Sequence, residues 1–267
     1  MIDISKSEVR NKFASNKSGA RPDFMYKNII DQKRYINVLN YTKDKKILDC
    51  ACGVGWGSYT IAMSGAKKVV GLDLSSEAIL TAKKYYSCPN VLYLNHNIYD
   101  FKTNEKFDVI TSFETLEHVE DPLNFLNSLA HFCNPDSILF LSTPNGFCFK
   151  KKNEIPHNPY HKTEFTKDEL YKIINKSSWL IEEYLGQHPI KKNSNEIKEY
   201  RDFIHRFWID KKRSKKFGII YTIIAKIYRR LRNIKLVDPA HQGDCSPKKI
   251  SEEFEPAYHY FKLKLKK

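Results

Sequence analysis

The chain has 267 residues, enough to bury a full core, and its formal net charge of +14 admits an acidic partner without requiring one. No apolar run follows the opening Met-Ile-Asp-Ile-Ser-Lys and no stretch approaches membrane-spanning length, so a cytoplasmic protein is expected. The six cysteines (Cys50, Cys52, Cys88, Cys133, Cys148 and Cys245) lack Cys-x-x-Cys spacing, which argues against a zinc ribbon or a redox pair and for reduced, mostly buried thiols.

Residues 1–22 are polar and patternless. From Phe24 to Tyr41, apolar residues at Ile29, Ile30, Tyr35, Ile36 and Leu39 predict a helix leading into a sheet, with residues 1–45 as a helical cap. For Tyr35, core packing and a role over a ligand stand as equal readings.

The stretch Ile47-Leu-Asp-Cys-Ala-Cys-Gly-Val-Gly-Trp-Gly-Ser58 then reads as a buried strand, Lys46 to Cys50, that breaks into a glycine turn and opens a helix at Trp56. Gly53 and Gly55 let the backbone come close to a ligand, and the helix start offers unpaired N–H groups to it. Ser58 stands where a dinucleotide turn needs its third glycine, which argues against a pyrophosphate. The next apolar strand ends in Val69-Val-Gly-Leu-Asp73, and Asp73 is placed to accept both hydroxyls of a ribose.

Ser75 caps a helix carrying Ala78, Ile79 and Ala82, Pro89-Asn90 punctuates it, and a third strand runs from Val91 to Leu94. The fourth strand, Phe107 to Ser112, enters Phe113-Glu-Thr-Leu-Glu-His-Val-Glu-Asp-Pro122, where Asp121-Pro122 starts a helix as cap and first residue. The fifth strand, Ile138 to Leu141, ends in Ser142-Thr-Pro-Asn145, with Ser142, Thr143 and Asn145 expected to shape an acceptor pocket. A loop, His157-Asn-Pro-Tyr-His161-Lys-Thr-Glu164-Phe165, precedes a helix from Thr166 to Ser177. A sixth strand follows, Trp179 to Leu185. Repeated strand-helix alternation predicts an α/β fold with a doubly wound, mostly parallel sheet.

In such a sheet ligands sit at the carboxyl ends of the strands, so Glu114, Glu117, His118 and His161 share one rim. Two readings follow: His118 or His161 acts as a general base oriented by the glutamates, or all four hold a divalent metal (Mg, Mn or Zn) that activates a hydroxyl. A hydrogen-bonded rim without chemistry is the third.

Asp49 with its glycine turn and Asp73 together resemble motifs I and II of class I S-adenosylmethionine-dependent methyltransferases, and Arg34-Tyr35 resembles the Arg-Tyr helix that precedes the turn in one branch of them. The resemblance implies S-adenosylmethionine as cofactor, a Rossmann-like seven-stranded sheet, and a cofactor site of Asp49, Ala51, Gly53, Gly55, Asp73, Leu74, Asn97, Ile98 and Phe113. Ala51 replaces the family's usual glycine, a methyl group expected to cost little. Asn97 replaces an acidic residue that contacts adenine; its amide oxygen accepts the same bond, or else it caps the turn before Asp100.

The run Glu-x-x-Glu-His, then Ser-Thr-Pro-Asn, then His-x-x-Glu-aromatic is similar to the small-RNA 2′-O-methyltransferases, where the equivalents of Glu114, Glu117, His118 and His161 hold a metal that chelates a terminal ribose. Leu116-Glu-His-Val119 also resembles the ubiquinone-pathway O-methyltransferases. From Ile47 to Gln187 the match is closest to bacterial methyltransferases of sugars and surface polysaccharides. The expected activity is methylation of a hydroxyl on a sugar, nucleotide-sugar or glycan precursor, of the capsule type. RNA 2′-O-methylation and N-methylation of a small amine are the alternatives, and a non-catalytic binding protein is the remaining class.

Ala257 to Leu265 alternates, with Phe261, Leu263 and Leu265 on one face and Tyr260, Lys262 and Lys264 on the other, and resembles the antiparallel last strand of that family. The core is therefore expected over residues 46–187, a basic helical insertion or lid over 188–255, and the final strand over 256–267. Residues 190–235 hold 15 Lys or Arg against 4 Asp or Glu, a net of +11. Two amphipathic helices are expected there, one on Tyr200, Phe203, Ile204, Phe207 and Trp208, the other on Phe217, Ile220, Ile224, Ile227 and Leu231. Surface helices, a lid, a subunit contact, peripheral contact with an anionic membrane, and a nucleic-acid groove are the readings for them.

Overall fold

The computed structural model describes residues 29–149, 156, 158, 160–192, 195–199, 201–202 and 245–266. Its strands are β1 (Lys46–Cys50), β2 (Lys68–Asp73), β3 (Val91–Asn95), β4 (Phe107–Phe113), β5 (Cys133–Pro144), β6 (Trp179–Lys191) and β7 (Phe254–Leu265). They form one sheet in the order β3-β2-β1-β4-β5-β7-β6. The first five run parallel, and β7 is antiparallel to both neighbours.

The central strands are largely apolar because helices cover both faces, with Asp49 of β1 and Thr111 of β4 among the buried polar exceptions. In β1, Ile47 packs with Tyr35 and Val38 of α1 (Ile29–Val38) and with Ile61 of α2 (Trp56–Met63), alongside Ile79 and Ala82 of α3 (Ser76–Tyr85). The next residue, Leu48, belongs to the opposite layer with Phe125, Leu126 and Leu129 of α4 (Pro122–Ala130). Beyond the single turn α5 (Gly146–Phe149), Leu170 and Ile174 of α6 (Lys167–Lys176) complete that layer.

The helix starts follow the expected chemistry. Ser75 accepts from the Ala78 N–H, Asp121 from the Asn124 N–H ahead of Pro122, and Thr166 forms a capping box with Glu169. The predicted helix over 24–41 is seen as α1 and a 3₁₀ turn, Leu39–Tyr41, with Ile36 exposed; residues 24–28 lie outside the described part.

Three strands are longer than expected. β5 begins at Cys133, and β6 and β7 continue their antiparallel pairing out to Lys191 and Phe254, past the point where alternation is readable. Tyr260, expected on a polar face with Lys262, is fully buried, because that face of β7 packs on Phe113 and Phe140. Apart from residues 201 and 202, the two expected basic helices lie outside the described residues.

Candidate active site

The strand order reverses between β1 and β4, and open sheets of this kind bind their ligands outside the carboxyl ends of the strands at that point. The glycine turn lies there. Gly53 and Gly55 have φ of 55° and 85°, and a Cβ on Gly55 would sit 2.5 Å from Ala82. Ala51 shares this left-handed conformation, with φ of 65°. The methyl group expected to cost little therefore sits where an L-residue is strained by about 1–2 kcal/mol.

Asp73 closes the turn: Oδ2 accepts from the Gly53 N–H at 2.8 Å and Oδ1 from the Ser75 N–H at 2.8 Å. Leu74 beside it is exposed, and Ile98 is buried. Asn97 caps its own turn, its Oδ1 accepting from the Tyr99 N–H at 3.2 Å. Asp49 is enclosed behind the turn. Three hydroxyls donate to its carboxylate: Ser58 at 2.5 Å, Thr111 at 2.7 Å, and Tyr35 at 3.2 and 3.3 Å to its two oxygens. Burial raises the Asp49 carboxyl above its usual range while these donors pull it down. Phe113 meets the Tyr35 ring edge-on at 5.0 Å.

The rim is built by two adjacent residues of β5, each holding one glutamate of the turn after β4. Ser142 Oγ donates to Glu114 Oε1 at 2.9 Å, and Thr143 Oγ1 donates to Glu117 Oε2 at 2.8 Å. Asn145, expected in the acceptor pocket, is buried and ties β5 to the Pro256 carbonyl.

Glu114 also faces Arg34, whose Nη2 lies 3.2 Å from Oε1. Glu117, His118 and His161 each bring one donor atom to within 4.8 Å of the others; Glu114, expected as a fourth ligand, is engaged by Arg34 and Ser142 instead. Glu117 Oε1 is buried and has no hydrogen-bond partner among the described residues.

Burial and the neighbouring Glu114 push the Glu117 carboxyl well above the usual range. Burial also raises Glu114, against the pull of Arg34. For His118, burial and nearby His161 lower the imidazole, while its bond to the Tyr160 carbonyl acts the other way. The two rings stand edge to face with centroids 4.8 Å apart.

Arg34 is the functional residue that sequence reasoning left unassigned. It is fully buried, donating from Nε to Gln187 at 2.6 Å and from Nη1 to Asp31 at 2.6 Å, with its guanidinium 4.8 Å from the Tyr258 ring. An arginine on the inward stripe of an amphipathic helix was the available signal. Five of the six cysteines are buried and all six are free, as expected.

The sheet order, the glycine turn and the acidic strand end are those of the class I S-adenosylmethionine-dependent methyltransferase fold. A family model described as "Methyltransferase domain" matches residues 27–180, more than half of the chain, and the chain belongs to that family. It is similar to a ubiquinone biosynthesis O-methyltransferase of Actinobacillus pleuropneumoniae, 42% identical over 109 residues, which are 38% of this chain and 46% of the relative. The chain thus spans about half the length of the curated relatives it first matches. An enzyme of the same name from Glaesserella parasuis is 29% identical over 235 residues, covering 79% of this chain and 93% of the relative. The N-methyltransferase NodS of Bradyrhizobium japonicum, solved with S-adenosyl-l-homocysteine, shares the fold. Its TM-score is 0.52 at 16% identity over 72% of this chain and 92% of that one.

Proposed function

We propose that the chain transfers the methyl group of S-adenosylmethionine to a hydroxyl oxygen, with a sugar, nucleotide-sugar or glycan precursor as acceptor. One contact carries this reading: His118 Nδ1 lies 2.8 Å from the Tyr160 carbonyl oxygen. A carbonyl only accepts, so Nδ1 bears the proton and Nε2 keeps a lone pair, 3.8 Å from Glu117 Oε1. An acceptor hydroxyl at this rim gives its proton to Nε2 while its oxygen attacks the methyl carbon. The new C–O bond forms as the C–S bond breaks, and the electron pair leaves on sulfur. The lowered His118 keeps the base neutral near pH 7. Because the sulfonium is already activated, holding oxygen, methyl and sulfur in line supplies much of the rate.

The O-methyltransferase names of the relatives support an oxygen acceptor, and a rim of Glu117, His118, Thr143 and His161 suits a polyol. An aromatic hydroxyl is the second reading, favoured by those same names. The ribose of an RNA terminus is another, favoured by the three-donor cluster and by the +11 of residues 190–235. That charge is expected to meet an acidic group of the acceptor, such as a pyrophosphate, or an anionic membrane surface to which the protein is peripheral. No helix among the described residues is long and apolar enough to cross a membrane.

The donor set of one carboxylate and two imidazoles, with a buried carboxylate oxygen lacking a partner among the described residues, fits a divalent ion such as Mn or Zn. Glu117, His118 and His161 would hold it. Such an ion, when bound, acidifies a hydroxyl beside it.

The test is turnover of S-adenosylmethionine by purified full-length chain on nucleotide-sugars, ortho-dihydroxy aromatics and short RNAs, before and after chelation. Methyl transfer to a sugar hydroxyl is expected. Transfer only to the aromatic ring or to RNA replaces the acceptor, and cofactor binding without transfer to any of them overturns the enzymatic reading. Activity lost with chelator and restored by one divalent ion supports the metal; activity indifferent to chelator leaves His118 as the base.

A further inference from the structure

The loop that carries His161 holds more carboxylate than a metal ligand or a base would need. Glu164 is buried, with Oε1 2.8 Å from His161 Nδ1 and Oε2 without a hydrogen-bond partner among the described residues. On the other side of the ring, His161 Nε2 lies 2.7 Å from Asn158 Nδ2.

The protonation pattern follows from a backbone group. The Tyr160 N–H can only donate, and it donates to Asn158 Oδ1 at 3.1 Å. The amide therefore turns its NH₂ toward the ring and donates to Nε2, which must offer a lone pair. The proton is left on Nδ1, facing a carboxylate that accepts it.

We infer that Glu164 is a positioning residue: together with the Asn158 amide on the other side of the ring, it holds His161 in the Nδ1–H form and leaves Nε2 as the ring's electron-pair donor. The inference rests on the methyl-transfer reading of the same rim. Tyr160 does to His118 what Glu164 does to His161, so one loop sets both imidazoles alike.

The loop is itself fixed at both ends. The Lys162 and Thr163 N–H groups donate to the Glu117 carbonyl at 2.7 and 3.3 Å. At the far end, the Gly146 N–H donates to the Phe165 carbonyl at 2.9 Å, and a Cβ on Gly146 would come within 2.4 Å of the Glu164 carbonyl oxygen. A carboxylate seated so firmly behind a histidine sets ring orientation and basicity, and losing such a partner typically weakens a site about 10- to 100-fold.

The experiment is a two-bond ¹H–¹⁵N spectrum of the full-length chain labelled at histidine, with chelator present and the imidazoles neutral, His161 being assigned by its loss in His161→Asn. The wild type is expected to show a protonated Nδ1 and a bare Nε2 at His161. Glu164→Gln, which keeps an acceptor oxygen, retains that pattern. Glu164→Leu leaves Nδ1 without an acceptor and only the Asn158 amide to hold the pattern, so a measurable fraction of the Nε2–H form is expected at His161 while His118 is unchanged. On an acceptor that the wild type methylates, Glu164→Leu is expected to lower kcat about 10- to 100-fold with KM for S-adenosylmethionine unchanged, and Glu164→Gln to recover most of it.

A wild-type His161 protonated at Nε2 overturns the inference, and this result needs no variant to fold. So does a Glu164→Leu protein that keeps both the spectrum and kcat. If no acceptor is methylated, the functional reading falls while the spectra still decide the role of Glu164.

Discussion

The Tyr35 hydroxyl reaches from the cap helix to the back of the cofactor turn and meets both carboxylate oxygens of Asp49, at 3.2 and 3.3 Å, inside the protein. The ring that carries it fills the space left by Gly57, where a Cβ would lie 2.1 Å from Tyr35 Cζ. Of the two readings open for Tyr35, the geometry shows core packing, and the hydroxyl in addition orders the carboxylate beneath the turn.

Tyr35→Phe removes one donor to a buried carboxylate and keeps the ring. A loss of roughly 1–3 kcal/mol in unfolding stability is expected, read by urea denaturation. Gly57→Ala drives a methyl group into the same ring and is expected to cost about as much through overpacking. Wild-type stability in both variants would contradict the described contact.

Ala51→Gly releases a strained left-handed residue. Stability is expected to rise by about 1 kcal/mol, measured as a higher denaturation midpoint, with S-adenosylmethionine affinity by calorimetry at least as tight. An unchanged or lower midpoint would mean that the strain is relieved elsewhere.

Asp73→Ala takes away the acceptor of the Gly53 and Ser75 N–H groups together with the expected partner of the ribose. Cofactor affinity by calorimetry should weaken by at least about tenfold, the loss of roughly one charged hydrogen bond. Unchanged affinity would remove the ribose assignment.

His259 gives a pH signature. It is fully buried on β7, accepts from the Tyr184 hydroxyl at 2.9 Å, and burial lowers its pKa to about 3. Between there and the ordinary histidine value the unfolded chain binds a proton that the folded chain refuses. Stability therefore rises with pH across that window and is lost as pH falls, by up to ~1.4 kcal/mol per pH unit. The buried Asp49 and Glu117, raised by burial, act in the opposite sense. Comparing urea unfolding of wild type and His259→Gln from pH 4 to 7 isolates the histidine, and the variant should lose that part of the slope.

Much of this was legible in the sequence because single positions carry it. The glycine turn, Asp73, the Ser75 and Asp121 caps and the apolar runs of β1, β2 and β4 depend on local backbone chemistry and two-sided burial. The clustering of Glu117, His118 and His161 was legible from strand-end logic. Arg34 was not assigned, because its partners Gln187 and Glu114 are distant in sequence and meet it only after the sheet is assembled. The diversion of Glu114 from the cluster has the same origin. So does the burial of Tyr260, whose alternation with lysines suggests a wet face that α1 and Phe140 keep dry.

Lys191 and Phe254 are paired across the last two strands, so the chain leaves the sheet and re-enters it at one spot. For two chain ends held this close, doubling the length of a flexible connection costs only about 0.6 kcal/mol in closure entropy. That junction is a natural splice point: the connection between the two strands can change in length while the pairing of β6 with β7, the glycine turn and the histidine rim stay as they are.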